Sequence, residues 1–222
     1  MLDAGMLVCV YTCLADRVHL NAFYESPVGK YLTSLGNCQI VEVYADPAAN
    51  ASYRFGRELI LRAEDKYDKL SLKTHEMMRY CVQQLDFQRM LKIDVTCVRS
   101  DFDSPKYDGR AAIDLELLAC FLRASSADRH YDGFVFHEKA SKEGVVGWAN
   151  KKGLSIDYER VFGGNPVPPF YSGKCYMLSN AFARFVSEFG KEVAIEHAKF
   201  LGGAEDVMVG RLFQAFAAKE GL

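Results

Sequence analysis

Three groups of acids carry the features of this sequence most able to do chemistry. Asp94 stands near the end of the apolar run Met90–Cys97, Asp101-Phe102-Asp103 follows as a literal D-x-D, and Glu205-Asp206 opens a helical pattern. Carboxylates in such places have three uses. They hold divalent cations, which favour charged oxygen ligands. They take a proton from a hydroxyl as a general base. They attack as nucleophiles. Each group also has a plain structural use. Asp94 can form or cap a turn. Asp101 and Asp103 can be a solvated turn. Glu205-Asp206 can satisfy the free N–H groups and dipole of a helix N-terminus. Taken singly, the acids do not choose between these uses.

Other signatures are absent from the sequence. There is no GxGxxG, Walker loop, HExxH or GxSxG, and the five histidines are scattered without ligand-like spacing. The formal net charge of −2 over 222 residues gives no reason to expect bulk nucleic-acid binding. No apolar run reaches the length of a membrane span, and the start Met1-Leu2-Asp3-Ala4-Gly5 lacks the basic region of a signal peptide. The seven cysteines fall mostly in apolar segments and form no CxxC pair, which predicts reduced core thiols.

The acids need elements to position them. Leu7–Thr12 and Gln39–Asp46 are buried-strand runs on either side of a helical stretch, Asp16–Leu35, in which Pro27 must break the helix or start a new turn. Strand, helix, strand favours a parallel sheet with a right-handed crossover. Lys69–Leu85 is expected to be helical, with Met77, Met78, Cys81, Val82 and Leu85 on one apolar face. The Met90–Cys97 strand comes next and is expected beside the Leu7 strand. After a loop over 99–110, Ala111–Leu122 should be a helix with Ile113, Leu117, Cys120 and Phe121 inward. Tyr131–His137 should be a strand, Gly144–Pro169 a turn-rich stretch, and Phe170–Leu178 a strand-like turn around Gly173. A helix over Asn180–Phe189 capped by Ser179 or Asn180 follows, then a last helix from Ala204 with Val209, Leu212, Phe213 and Phe216 inward. The sum is one α/β domain. In open sheets of this class ligands bind outside the carboxyl ends of the strands. That logic nominates Tyr11, Thr12, Asp46 and Asp94.

The order of several blocks resembles one known family. Tyr67-Asp68-Lys69-Leu70-Ser71-Leu72-Lys73-Thr74 resembles the "Y-x-N-L-T-L-K-T" stretch of the β1,3-glycosyltransferases, the galactosyltransferase and fringe-like family. Lys92-Ile93-Asp94-Val95-Thr96 stands where that family has "K-x-D-D-D". His130-Tyr131-Asp132-Gly133 resembles its "Y-x-G". Pro168 to Ser179 is similar to "P-P-Y-x-S-G-x-G-Y-x-L-S", and Glu205-Asp206-Val207-Met208-Val209-Gly210 to "E-D-V-x-x-G". The blocks run in family order from Tyr67 to Gly210, the last two being the most specific. The first sixty or so residues carry no motif match.

The resemblance implies a GT-A fold, with a donor-binding half over 1–110 and an acceptor and catalytic half over 111–222. It implies an inverting transfer of a sugar, galactose or an N-acetylhexosamine, from a UDP-sugar to a glycan acceptor. It also implies a divalent metal, Mn²⁺ or Mg²⁺, that offsets the diphosphate charge. Asp206 is then the expected base, with Glu205 as the alternate. Asp94 and Thr96 face the diphosphate or its metal, and Lys73 and Lys92 are further diphosphate candidates. Tyr11, Thr12 and Asp46 approach the nucleoside. Gly173 lets backbone come close to a substrate. Trp148 and Tyr171 are acceptor candidates, Trp148 as a stacking surface. One departure stands out: Thr96 replaces the last acid of the family motif, usually the metal ligand. Either Asp94 holds the metal alone in a changed geometry, or Asp101 or Asp103 supplies the carboxylate, or the reaction runs without metal. The same fold could also bind a nucleotide-sugar without turnover. Eukaryotic relatives usually carry an N-terminal membrane helix. Its absence and the reduced-looking cysteines predict a cytoplasmic enzyme, with peripheral membrane association as the alternative.

Overall fold

A computed structural model describes residues 5–98, 113–125, 129–138 and 140–222. The elements in chain order are β1 (Met6–Tyr11), α1 (Leu20–Glu25), α2 (Pro27–Ser34), β2 (Cys38–Ala45), β3 (Tyr53–Phe55) and β4 (Glu58–Leu61). Then come α3 (Leu70–Gln84), β5 (Arg89–Asp94), α4 (Leu115–Ala124), β6 (Tyr131–Gly133), β7 (Phe136–His137), α5 (Lys142–Lys151) and α6 (Tyr158–Phe162). The chain closes with β8 (Phe170–Tyr171), β9 (Cys175–Ser179), α7 (Asn180–Phe189), α8 (Lys191–Phe200) and α9 (Glu205–Glu220). Short 3₁₀ turns at Ala15–His19, Tyr67–Lys69 and Val95–Val98 lie among them.

Seven strands form one sheet in the order β3-β4-β2-β1-β5-β9-β6. β4, β2, β1 and β5 pair in parallel, β3 pairs antiparallel with β4, and β9 lies antiparallel between β5 and β6. The expected neighbours thus hold: the Leu7 strand sits between the Ile40 and Met90 strands. β1 is buried at every position, which is why it reads as an unbroken apolar run rather than an alternation. Its odd residues Leu7, Cys9 and Tyr11 join α3, α7, α8 and α9 in one core. Its even residues Met6, Val8 and Val10 join α1, α2 and α4 in another. The result is a single α/β domain with helices on both sheet faces.

Local chemistry sets the element ends. Pro27 occupies the first turn of α2, where its missing N–H costs nothing, and Ser26 caps that helix by accepting from the Gly29 N–H at 3.0 Å. Ser179 caps α7 by accepting from Phe182 N–H at 3.1 Å.

Four expectations change, and two elements were not anticipated. The strand at Met90 ends at Asp94, and Val95, Thr96 and Cys97 form a 3₁₀ turn. Asp94 pairs with Tyr11, the last residue of β1, so the chain turns where its partner strand ends. α4 begins at Leu115 behind an Asp114 cap and buries Leu118 and Leu122, leaving Leu117 and Cys120 exposed. The inward stripe is therefore one residue out of phase with the expected one. Tyr131–His137 splits into β6 and β7, which belong to different sheets. The turn-rich stretch 144–169 contains α5 and α6, each started by a side-chain cap from Ser141 and Asp157. The β3–β4 hairpin and α8 complete the differences. Asp101 and Asp103 lie outside the described residues.

Candidate active site

The carboxyl ends of β1 and β5, the N-terminal part of α3, the turn between β8 and β9, and the first turn of α9 enclose a cavity of ≈ 470 Å³. Its walls include Tyr11, Thr12, Lys73, Lys92, Asp94, Thr96, Trp148, Gly173, Glu205 and Asp206. Ten of the residues nominated from sequence therefore meet in one place. Two do not. Asp46 lies exposed in the turn after β2, where its side chain accepts from Ala48 N–H at 2.8 Å. It does not line the cavity because β2 runs into a local Asx-type turn. Tyr171 does not line it either. Its ring packs edge-on against Tyr131 at 5.0 Å and tilts against Phe136 at 5.0 Å, held away by β8 pairing with β7.

At one end of the cavity Lys92 is the hub. It is 1 % exposed, since both faces of its central strand are covered. Its Nζ donates to Asp94 Oδ1 at 2.6 Å and to the Gly173 carbonyl, and lies 3.2 Å from Glu205 Oε1. The ammonium also sits 4.5 Å from the Tyr11 ring centroid, a cation–π distance. Burial would lower its pKa, but Asp94 and Glu205 outweigh burial and raise it above lysine's ordinary range. Burial pushes Asp94 up to about 6, with Lys92 pulling the other way. The Asp94 side chain is 32 % exposed, so it can meet a ligand where Lys92 cannot.

Asp206 stands on the first turn of α9. Its Oδ2 accepts from Gly173 N–H at 3.1 Å and its Oδ1 from Val207 N–H at 2.9 Å. Burial, then the adjacent Glu205 charge, push it up to about 7 despite both N–H donors and Lys92. The delivery of this turn is tightly built. Gly202 and Gly203 have φ of +56° and +74°, and a Cβ on Gly203 would strike the backbone of Tyr67 and Asp68. Buried His197 braces the same turn: its carbonyl accepts from Leu201 and Gly203 N–H, and its Nδ1 lies 3.1 Å from the Ala204 carbonyl. A Cβ at Gly173 would meet the end of the Glu205 carboxylate, which would have to shift. The close approach at Gly173 is thus made by an acid of the protein itself.

At the other end Lys73, also 1 % exposed, donates to Asp65 Oδ1 at 2.6 Å and to the Thr12 carbonyl. Burial pushes its pKa down, against the pull of Asp65. Tyr11 lies between the two lysines, its hydroxyl 2.9 Å from Thr74 Oγ1. The Trp148 ring tilts against Tyr67 with centroids 6.2 Å apart, and Lys152 Nζ lies 5.2 Å from the Tyr67 centroid.

Asp65, Tyr67, Lys152 and Lys174 line the cavity but were not nominated from sequence. A signal for Asp65 existed: Lys73 falls on the buried stripe of α3 with Met77 and Cys81, and a buried ammonium requires an acid. The lysines of the α5 and β8–β9 segments had no such signal.

Among the described residues no group of three or more His, Cys, Asp or Glu is arranged to hold an ion. At the Asp94 end the described oxygen groups are the Asp94 carboxylate, bonded to Lys92, the Thr96 hydroxyl, and the Glu205 and Asp206 carboxylates beyond Lys92; Asp101 and Asp103 lie outside the described residues. A Mg²⁺ or Mn²⁺ ion held together with a diphosphate needs only one or two protein carboxylates beside phosphate oxygens and waters, and Asp94 would be its protein ligand at this end. Among the described residues no helix is long and apolar enough to cross a membrane. No protein-family model matches the chain, and no curated protein matches it.

Proposed function

We propose that this chain is an inverting glycosyltransferase that moves a sugar from a UDP-sugar to a glycan acceptor hydroxyl, with Asp206 as the general base. The observation that supports this most is the placement of Asp206. It is a half-buried carboxylate held by two backbone N–H groups, raised to about 7, at the carboxyl end of a parallel sheet. A base with a pKa near the working pH combines a useful ionised fraction with useful proton affinity.

In the reaction, the Asp206 carboxylate takes the proton of the acceptor O–H. The acceptor oxygen forms a bond to the anomeric carbon from the face opposite the diphosphate. The anomeric C–O bond to the diphosphate breaks, and its electron pair leaves on UDP. Backside attack inverts the centre. Tyr11 and Thr12 belong to the nucleoside side of the cavity, and Asp94 and Thr96 to the diphosphate side. Lys73 and Lys92 act through their field, since their ammonium groups already bond to protein oxygens. Lys152 and Lys174 bring further positive charge to the wall. Trp148 with Tyr67 gives an aromatic face on which the apolar side of a sugar ring can lie.

One observation favours a second reading. Thr96 stands where the resembled family has its last acid, so a protein that binds nucleotide-sugars without turnover is the alternative. The test is a thermal-shift screen of UDP, UDP-galactose and UDP-N-acetylhexosamines, followed by UDP release with and without Mn²⁺. Stabilisation by UDP-sugars is expected, because a ligand of the native state must raise its apparent stability. Stabilisation with UDP release supports transfer, and stabilisation without release supports the binder. No response to any uridine nucleotide overturns both.

A further inference from the structure

The end of the cavity that holds Asp206 is assembled from three segments remote in sequence: β5, the β8–β9 turn and the first turn of α9. Lys92 reaches all three. Its ammonium bonds Asp94 on its own strand, the Gly173 carbonyl in the turn, and lies 3.2 Å from Glu205 on the helix. Both backbone groups of Gly173 are in use, the carbonyl toward Lys92 and the N–H toward Asp206 Oδ2 at 3.1 Å. The orientation of Asp206 is therefore fixed through a glycine that Lys92 itself fixes. Glu205, the neighbouring acid, is 7 % exposed and sits against the ammonium. Its charge is already answered within the protein.

Resting on the reading of Asp206 as the base, we propose that Lys92 is a positioning residue: it anchors Gly173 against Asp206 and occupies Glu205, so that Asp206 alone of the two acids takes the acceptor proton. This explains why adjacent carboxylates do not compete. It also explains a fully buried lysine in a central strand, which a packed apolar residue would fill at lower cost.

The charged and titratable groups that face Asp206 are Glu205 on its own helix, Lys92 from β5, and the phenols of Tyr67, Tyr131 and Tyr176 from the turn before α3, from β6 and from β9. Asp94 lies beyond Lys92, and Lys152 and Lys174 line the same cavity. The Lys92 ammonium pulls the Asp206 titration down. Removing it should move the Asp206 titration upward.

The experiment compares wild type, Lys92→Met and the double variant Lys92→Met/Glu205→Gln. The double variant removes one charge of each sign, so its fold does not depend on a buried unpaired Glu205. Asp206 is titrated by carboxyl ¹³C NMR, Gly173 amide exchange is measured, and kcat and donor KM are determined across pH. In Lys92→Met the Asp206 midpoint should rise by about one pH unit, and the acid limb of kcat should follow it. In both variants Gly173 exchange should accelerate, and kcat should fall by about 10–100-fold, the scale of a misplaced catalytic group, with donor KM little changed. A folded double variant with wild-type Gly173 exchange and wild-type kcat overturns the proposal. So does a folded Lys92→Met with an unmoved Asp206 midpoint. If Lys92→Met does not fold, the double variant decides alone. If the wild type transfers no sugar, the glycosyltransferase reading fails, and the NMR and exchange results still decide whether Lys92 positions Asp206.

Discussion

The two ends of the cavity are built around the same residue type in the same degree of burial, yet they behave oppositely. Lys73 and Lys92 are each 1 % exposed, and their ammonium groups lie 4.6 and 4.5 Å from the same Tyr11 ring centroid. Lys73 has one carboxylate partner, Asp65 at 2.6 Å, and burial prevails: its pKa is lowered. Lys92 has two, Asp94 and Glu205, and they prevail: its pKa is raised. One carboxylate does not offset the desolvation of a buried ammonium here, whereas two do. The ends are therefore suited to different work. The Lys92 end holds its cation firmly and can organise acids for proton transfer. The Lys73 end binds the Thr12 carbonyl at the carboxyl end of β1, the side to which donor binding is assigned in the proposed reaction.

The largest effect should come from breaking the Lys92 end at its base. Asp206→Asn keeps the size and, through its single amide oxygen, one of the two bonds from Gly173 and Val207 N–H, but it cannot take a proton. Turnover should fall by about 10²–10⁴-fold while UDP affinity holds. Asp65→Asn at the Lys73 end should instead raise donor KM and leave kcat nearly unchanged. If both variants lower kcat alike, the division of labour between the ends fails. If Asp206→Asn keeps wild-type turnover while Glu205→Gln is dead, the two acids have exchanged roles.

Next in size is stability. Lys92→Met strands two carboxylates and should cost about 3–5 kcal/mol in a urea melt near neutral pH. Lys73→Met strands only Asp65 and should cost about 1–3 kcal/mol. Equal losses would show that the number of acid partners does not set the difference between the lysines.

A smaller effect should appear in alkaline melts. Lys73 has a lowered folded pKa, so above that value the unfolded chain holds the extra proton and the Lys73 contribution to stability grows with pH, up to about 10.4. Lys92 has a raised folded pKa, so its contribution is complete below about 10.4 and is lost as pH rises through the folded value. The stability gap between wild type and Lys73→Met should therefore widen as pH rises toward about 10.4. The gap to Lys92→Met should hold over that range and shrink above it. Parallel pH dependences for the two gaps would contradict the opposite shifts.

The smallest effect is expected from metal removal. With Thr96 in place of an acid and two resident ammonium groups in the wall, EDTA should weaken UDP binding only a few-fold. Loss of binding in EDTA with recovery in Mn²⁺ would show that the Asp94 end recruits a cation after all. Its abolition by Asp101→Ala or Asp103→Ala would assign the ligand.

What could be read in the sequence tracks the same contrast between local and remote causes. β1 was legible because a strand covered on both faces needs an unbroken apolar run, and β2 and β5 because apolar and β-branched residues dominate them despite Glu42 and Lys92. Pro27 and Ser179 announced helix starts, the first by a ring that fits a helix's first turn and the second by a side-chain cap. α5 and α6 were obscured by glycines and prolines around them, although Ser141 and Asp157 cap them. In the site, Asp94 and Asp206 were legible as acids at element ends. Asp46 met the same criterion and fails it, because β2 leads into a turn that uses the Asp46 carboxylate locally. The pairing of Lys92 with Glu205 spans remote segments, and no local pattern encodes it.

The position of β9 has a consequence for the order in which the molecule can form. β9 is inserted between β5 and β6, and it supplies the outer partner of β5. On a ribosome, β1, β2 and β5 emerge early and can pair, but the free edge of β5 then waits for residues 95–174 to be made. At about 5–20 residues per second that delay lasts several seconds, far longer than the microseconds of hydrophobic collapse. Throughout it, the nascent chain presents an unpaired apolar strand edge of the kind that other chains can join. Synthesis speed across 95–174, and any chaperone that shields that edge, should therefore govern the yield of folded protein more strongly than its final stability does.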